Sequence, residues 1–371
     1  MTPRDLLQHD LVVCVGSGGV GKTTLAAALG VQAAIDGRRV LVLTIDPARR
    51  LANALGLERF GNDEVRIDVG EARGELHALM LDTRSTFEGV IARVAPDDAT
   101  RRRILDNNIY KNIADSFSSN HEYMATEKLY DVTRSGRYDL IVLDTPPVKN
   151  ALDFLDAPGR LSRFLDRKIM KWFLTPYDEG RVFGRLLMGT SAVVYRLLGT
   201  LFGREFLADL SDFFLAFREL YDGFRERQEA VVAQLRSTRT AFVVVGAPTI
   251  PSAEVSEFFL RELAARGMNV TAVVVNRVHP VHYPSLDAET ALGDLARAAS
   301  HDLDPHTAST LLARLGAAHR RLVELAVHEE EVLARLERGV AGGPPLWRVP
   351  RLEQEVNDVP TLKALAGHLF P

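Results

Sequence analysis

The sequence predicts an α/β protein: a doubly wound, mostly parallel sheet that carries helical insertions. Two observations lead to this prediction, namely short continuous apolar runs rich in valine and the helical patterns that separate them. A strand buried on both faces is apolar throughout, whereas a strand with one solvated face alternates apolar and polar residues. The apolar runs lie at residues 11–15, 38–46, 76–82, 138–144, 241–248 and 270–276.

Helices are predicted between these runs. The first lies at 23–36 and ends at Gly37, and another lies at 251–267 and begins with a proline and a serine. Two long helical regions interrupt the alternation, at about 155–235 and about 285–340. Both fall between predicted strands, so we interpret residues 1–371 as a single domain with two insertions.

Each insertion has an apolar face at helical spacing. Phenylalanine and leucine residues recur every three or four positions between 206 and 224, which indicates either a core face or a groove for a client. In the second insertion the apolar positions alternate spacings of four and three, as in a short coiled-coil seam. These positions are Leu311, Leu315, Ala318, Leu322 and Leu325.

Composition excludes several classes of function. The formal net charge of −4 over 371 residues provides no basic field, so a nucleic-acid partner is not expected. The chain has 1 cysteine, Cys14, which excludes a disulfide framework or a thiolate metal site within one chain. We therefore expect no zinc. The first residues lack the apolar core of a signal peptide, and a cytoplasmic location is expected.

A phosphate-binding motif stands between the first apolar run and the first predicted helix. Residues 16–23 match G-x-x-x-x-G-K-[ST], the P-loop pattern, in the context that the motif requires. Its glycines let backbone N–H groups surround phosphate oxygens, and the helix N-terminus adds partial positive charge. We expect Lys22 to reach the β- and γ-phosphates and Thr23 to hold Mg²⁺. The residues predicted to line the nucleotide are Gly16, Gly18, Gly19, Val20, Gly21, Lys22, Thr23 and Thr24.

Two aspartates end apolar runs on the same predicted edge of the sheet. Asp144 is placed where a Mg²⁺-linked carboxylate belongs in such proteins. Asp46 would face the same end of the sheet, where it could orient or deprotonate the attacking water. The alternative for Asp46 is a helix cap before Pro47.

Three stretches resemble the family of arsenite-pump ATPases and tail-anchored-protein-targeting ATPases, of the deviant-P-loop class. They read GSGGVGKTT, VLVLTIDPARRLANALG and DLIVLDTPPVKNALDFL, and the resemblance extends over nearly the whole chain. It implies an ATP-dependent homodimer with nucleotides at a shared interface. It also implies that Asp46 positions water in a first switch and that Asp144 opens a second. By the same resemblance Asn276 contacts adenine and Pro350 lies in the loop flanking the base, so the cofactors expected are ATP and Mg²⁺.

The sequence also departs from that family. Ser17 stands where the family has a signature lysine that crosses the dimer interface, and Lys149 replaces a glycine of the second switch. Because phosphoryl transfer needs positive charge near the γ-phosphate, we hypothesise that Lys149 compensates, with Arg49 as the next candidate. The zinc-binding C-x-x-C pair and the arsenite-binding cysteines are missing.

Two functions remain open on these grounds. The first is an ATPase whose hydrolysis drives a dimeric switch that binds a hydrophobic or membrane-protein client. The second is a nucleotide-gated regulatory or scaffolding protein with slow turnover, which the altered switches favour. Arsenite-pump function is not expected, because no thiol cluster is present to receive the metalloid.

Overall fold

The computed structural model describes residues 2–46, 50–57, 63–94, 97–98, 101–102, 121–146, 154–155, 223, 226–280, 294, 297–298 and 304–370. The strands are β1 Leu11–Gly16, β2 Arg39–Thr44, β3 Val65–Ile67, β4 Glu75–Met80, β5 Leu140–Asp144, β6 Thr240–Gly246, β7 Val270–Val278 and β8 Leu346–Pro350. The helices are α1 Pro3–Leu6, α2 Lys22–Ile35, α3 Arg50–Ala54, α4 Thr83–Val94, α5 His121–Arg134, α6 Ile250–Ala265, α7 Pro305–Gly339 and α8 Val359–Leu369.

The strands of the described residues form one sheet with the order β3-β4-β2-β5-β1-β6-β7-β8. Every neighbouring pair is parallel except β3 with β4. The predicted fold class is therefore confirmed. Since the parallel strands all run in one direction, their carboxyl ends meet at one edge of the sheet, where ligands bind in open α/β folds.

Both faces of the sheet are covered, which explains why its central strands are continuously apolar. Along β1, Val13 and Val15 face one core while Val12 and Cys14 face the other. Residues from α4, α5, α6 and α7 pack in the first core. The second core is closed by α2 and α8, which also contact each other.

Neither of the two outer strands was located from the sequence. β3 has three residues, of which Ile67 alone is buried, so it carries too little apolar pattern to be recognised. β8 follows a loop containing two glycines and two prolines, and its exposed Arg348 hides the strand pattern. The predicted runs also differ at their ends: β2 stops at Thr44 rather than Asp46, and β7 continues to Val278.

The long helix α7 falls within the second predicted insertion and lies between β7 and β8. Asp304 caps it by accepting from the backbone N–H groups of the second and third helical residues. Its last third packs in the core through Val332, Leu333 and Leu336. The predicted seam lies on the surface, and its leucines are exposed.

Most of the first predicted insertion lies outside the described residues, and the domain boundaries stay a prediction. Its described end, at 226–235, is helical. There the carboxylate of Glu127 from α5 is buried and accepts from Arg227 at 2.7 Å and from Gln228 at 3.0 Å. Among the described parts of the chain, no helix combines the length and apolar character needed to span a membrane.

Candidate functional site

The loop between β1 and α2 depends on glycine at two positions. Gly16 and Gly21 have φ angles of 150° and 94°, in a range that residues with a Cβ rarely adopt. A Cβ on Gly16 would overlap the carbonyl oxygen of Val245 on β6, and one on Gly21 would overlap Nδ2 of Asn276. The chain therefore turns sharply and close to its neighbours, and its backbone leads into the first turn of α2.

The remaining predicted loop residues differ in exposure. Gly18 and Gly19 are exposed at the tip of the loop, whereas Val20 is buried. Thr23 and Thr24 are half-buried in the first turn of α2. The tip is thus open to a ligand while Val20 fixes the loop to the protein.

Lys22 begins α2, and its side chain lies against the loop. Nζ donates to the carbonyl oxygen of Ser17 at 2.8 Å and to that of Gly16 at 3.2 Å. Burial lowers the pKa of Lys22, and the nearby Asp144 opposes that effect. A polyphosphate entering the loop would replace these two carbonyl partners with stronger, charged acceptors.

Asp144, at the end of β5, is a buried carboxylate with unequal oxygens. Oδ2 accepts from the hydroxyls of Thr23 at 2.7 Å and Thr44 at 2.9 Å. Oδ1 is buried and has no hydrogen-bond partner among the residues that the structure describes. Burial raises the pKa of Asp144 to about 6, although the two threonine hydrogen bonds oppose the rise. Mg²⁺ prefers oxygen ligands, and the Thr23 hydroxyl and the Asp144 carboxylate supply them at one point. These residues therefore fit that ion.

Asp46 lies two residues beyond β2 on the same edge of the sheet. Its backbone N–H donates to the hydroxyl of Thr44 at 3.3 Å, and its carboxylate lies 3.3 Å from the guanidinium of Arg50. Thr44 therefore contacts both aspartates of the site. Sequence reasoning missed Thr44 and Arg50. The four-residue spacing of Arg50 from Asp46, at the start of a helix, was the available signal.

Ser17, predicted from the sequence to stand in place of a signature lysine, contacts its own chain. Its hydroxyl lies 3.2 Å from the hydroxyl of Ser252 in the first turn of α6. The Ser252 hydroxyl in turn accepts from the backbone N–H of Ala247 at 2.8 Å. The loop is thus joined to the segment between β6 and α6. No sequence signal linked two serines 235 positions apart.

The strand order places the predicted site residues on two sides of β1. Asp144 and Thr44 lie on β5 and β2, on one side of β1, whereas β6, β7 and β8 lie on the other. Asn276, near the end of β7, is 8% exposed and donates from Nδ2 to the carbonyl oxygen of Val20 at 2.8 Å. Pro350 ends the neighbouring strand β8 and lies opposite Val278 of β7. Asn276 and Pro350 therefore lie on the opposite side of β1 from the carboxylates.

Several predicted residues lie outside the described part of the chain: Pro47, Arg49, Val148, Lys149 and Asn150. Cys14 is described and is buried within β1, where burial raises the pKa of its thiol. Across the described ranges, no group of three or more His, Cys, Asp or Glu side chains is placed to hold a metal ion.

Comparison with known proteins gives a consistent result. The family model described as anion-transporting ATPase matches residues 9–289, which is more than half of the chain. The chain is 28% identical over 264 residues to ATPase GET3 of Podospora anserina, covering 71% of each protein. It is also 28% identical over 264 residues to ATPase GET3 of Chaetomium globosum, with 71% of each covered. For ATPase GET3 of Malassezia globosa the identity is 26% over 268 residues, with 72% of each covered.

Proposed function

The chain belongs to the anion-transporting ATPase family and is an ATPase, and from that premise we propose that Mg²⁺-dependent ATP hydrolysis drives a dimeric nucleotide switch. The observation that carries the proposal is the arrangement of Lys22, Thr23 and Asp144 around the loop at the head of α2. A buried cation, a hydroxyl and a carboxylate with an unsatisfied oxygen match the needs of a polyphosphate and its metal.

Binding would rearrange the contacts of Lys22 and Asp144. Nζ of Lys22 would leave the carbonyl oxygens of Gly16 and Ser17 for the β- and γ-phosphates. Thr23 and Asp144 would hold Mg²⁺, which neutralises charge on the phosphate oxygens when bound. Asp144 would then be ionised, because a metal-bound carboxylate does not keep its proton.

Asp46 would act on the attacking water. Its carboxylate lies on the edge of the sheet that carries Asp144, and Arg50 holds it from the start of α3. A carboxylate in that place can orient the water and accept its proton as the bond to phosphorus forms. The general-base role of Asp46 is supported by this position and by the resemblance of its segment to a first switch.

The nucleoside would lie between Asn276 and Pro350. The position of both residues on the β7–β8 side of β1 supports this, together with their resemblance to base-contacting residues. ATP is proposed rather than GTP because the sequence contains no N-K-x-D guanine signature.

The client of the switch is proposed from the resemblance. It would be a hydrophobic or membrane-protein segment bound by the region at about 155–235, in a cytoplasmic homodimer without zinc. Arsenite and antimonite are not expected to stimulate turnover, since Cys14 is buried in β1. A steady-state assay with either ion checks that expectation, and activation of several-fold would contradict it.

A slow-turnover regulatory protein is the second candidate. The observation in its favour is Ser17, which contacts Ser252 of its own chain and brings no charge to the phosphates. Single-turnover hydrolysis with and without candidate partners separates the two functions. A fast intrinsic rate favours the client-moving ATPase, and a slow rate that partners do not raise favours the regulatory protein.

Lys22→Ala tests the proposed site. We expect it to remove most of the ATP affinity measured by calorimetry, because the phosphates lose the charge at the centre of the loop. Lys363→Ala is the matched control, since it removes an exposed lysine of α8. Equal Mg-ATP affinity in the two variants would show that this loop is not the nucleotide site.

A further inference from the structure

The end of β7 carries a β-bulge on the nucleoside side of the site. Val275 lies opposite Arg348 of β8 while Val278 lies opposite Pro350, so β7 has one more residue than its partner over this stretch. Within it, Arg277 has a φ of 64°, a left-handed conformation that is unfavourable for a residue with a Cβ. Such a conformation persists only where surrounding contacts hold it.

The bulge determines where the side chain of Asn276 points. Oδ1 of Asn276 accepts from the backbone N–H of Arg277 at 2.9 Å, and Nδ2 donates to the carbonyl oxygen of Val20 at 2.8 Å. One amide group therefore connects the bulge to the phosphate loop. A change in the bulge would turn the amide away from its present direction.

A carboxylate from α7 holds the residue that follows the bulge. Glu329 is 5% exposed, and its two oxygens accept from the backbone N–H of His279 at 2.8 Å and from ring Nδ1 at 2.6 Å. Nη1 of Arg351 lies 3.3 Å from Nε2 of the same ring. Since a guanidinium only donates, Nε2 accepts there and Nδ1 carries the proton that goes to Glu329. Arg351 also donates its backbone N–H to the carbonyl oxygen of Val278 at 2.8 Å.

α7 is also attached by contacts that do not involve Glu329. Leu333 and Leu336 pack in the core, and Arg335 bonds Glu257 of α6 through two hydrogen bonds of 2.8 Å. Burying a carboxylate is costly unless hydrogen bonds compensate for the lost water. Both oxygens of Glu329 accept from His279, so its hydrogen bonds join the segment after the bulge to a helix that other contacts already hold.

We propose that Glu329 and His279 are positioning residues that hold the bulge and thereby orient the Asn276 amide towards the base of the nucleotide. The inference rests on the proposed function, because it requires a nucleotide in the loop. An oriented asparagine amide offers one acceptor and one donor, which pair with the 6-amino group and the adjacent ring nitrogen of adenine. A 6-oxo purine presents an acceptor in place of the amine, so an amide held in this direction selects against it. Glu329 also connects α7 to the bulge, which orients the amide that distinguishes adenine from a 6-oxo purine.

Calorimetry with three ligands tests the proposal: ADP, inosine diphosphate and inorganic pyrophosphate. In Glu329→Gln and His279→Ala we expect ADP affinity to fall about tenfold, the loss typical of one hydrogen bond, and the preference for ADP over inosine diphosphate to shrink. Pyrophosphate affinity should change by less than about twofold, because the phosphate loop is untouched. Glu257→Gln is the matched control, since it weakens the contact of α7 with α6 and should leave all three affinities unchanged.

Parallel losses of ADP and pyrophosphate affinity would overturn the proposal, because the contact would then support the whole site. The same loss of ADP preference in Glu257→Gln would also overturn it, because seating of α7 would be the cause. If Glu329→Gln and His279→Ala fail to fold, Arg351→Gln takes their place in the test, because the Arg351 side chain is exposed. This variant should also reduce the ADP preference. Wild-type protein that binds neither ADP nor pyrophosphate would instead refute the proposed function.

Discussion

Asp144→Asn should stabilise the protein when no ligand is present and remove its stabilisation by Mg-nucleotide. Burial raises the pKa of Asp144 to about 6 from an ordinary value of 3.8. At 1.36 kcal/mol for each pH unit, that difference corresponds to about 3 kcal/mol of unfavourable free energy for the ionised carboxylate at neutral pH. A neutral asparagine of nearly the same shape avoids this cost.

A buried amide nitrogen without a partner offsets part of this gain in stability. An asparagine can accept from Thr23 and Thr44 through its single oxygen, but its amide nitrogen then occupies the place of Oδ1, which is buried without a partner. An unsatisfied buried donor costs about 1–2 kcal/mol, so the net gain is about 1–2 kcal/mol. For 371 residues, at about 2.1 cal/mol/K of unfolding entropy per residue, we expect the melting temperature to rise by about 1–3 °C.

The pH dependence follows from the direction of the pKa change. Because the folded protein binds this proton more tightly than the unfolded chain, the carboxylate reduces stability progressively as pH rises from about 4 to 6, and fully above that. The advantage of Asp144→Asn should therefore be small near pH 4.5 and complete at about pH 7.5.

Thermal melts in EDTA at both pH values, and with Mg-ADP at the higher one, measure these effects. Addition of Mg-ADP should raise the melting temperature of the wild-type protein but have little effect on the variant, which lacks the carboxylate proposed to hold Mg²⁺. A variant that is less stable than wild type at about pH 7.5, or a difference that is the same at both pH values, would refute this account of Asp144.

Three further substitutions test other parts of the site. Asp46→Asn should keep ATP binding and slow hydrolysis by roughly 10²–10⁴-fold in single-turnover assays, the range for a general base. Hydrolysis at the parental rate would mean that Asp46 is only a helix cap. Gly21→Ala should lower the melting temperature more than Gly19→Ala, because both positions have a positive φ but only Gly21 faces the Asn276 amide. Equal decreases in melting temperature would mean that the Asn276 amide moves away from the added methyl group at no cost in stability. Lys149→Ala should slow hydrolysis by roughly 10³-fold with little change in ATP affinity, and Ser17→Lys in that background should restore part of the rate. Normal hydrolysis in Lys149→Ala would make Arg49 the next candidate.

The central strands and the phosphate loop were predictable because local sequence determines them. An uninterrupted apolar run such as Leu11–Gly16 has few alternatives to a strand buried on both faces. The glycines and the lysine that follow it satisfy a spacing that backbone geometry imposes. Asp46 and Asp144 could be named for the same reason, since each follows a recognisable strand.

Contacts between distant segments were not predictable. The pairs Ser17–Ser252 and His279–Glu329 join residues 235 and 50 positions apart, and nothing near either residue indicates its partner. The bulge was also missed, because the apolar pattern of β7 gives no sign that Arg277 adopts a left-handed conformation. Such features arise from tertiary packing rather than from local preference.

The strand order has a consequence for the order in which products leave. Asp144 and Thr44 lie on one side of β1 and Asn276 on the other, so at the proposed site cleavage of the terminal phosphate would alter contacts on one side only. The freed phosphate would lose its covalent tie to the nucleoside, whereas ADP would keep the proposed base contacts and the loop. Phosphate should therefore depart first, and the lifetime of the ADP-bound protein would then be set at β7 and β8, the strands farthest from the chemistry.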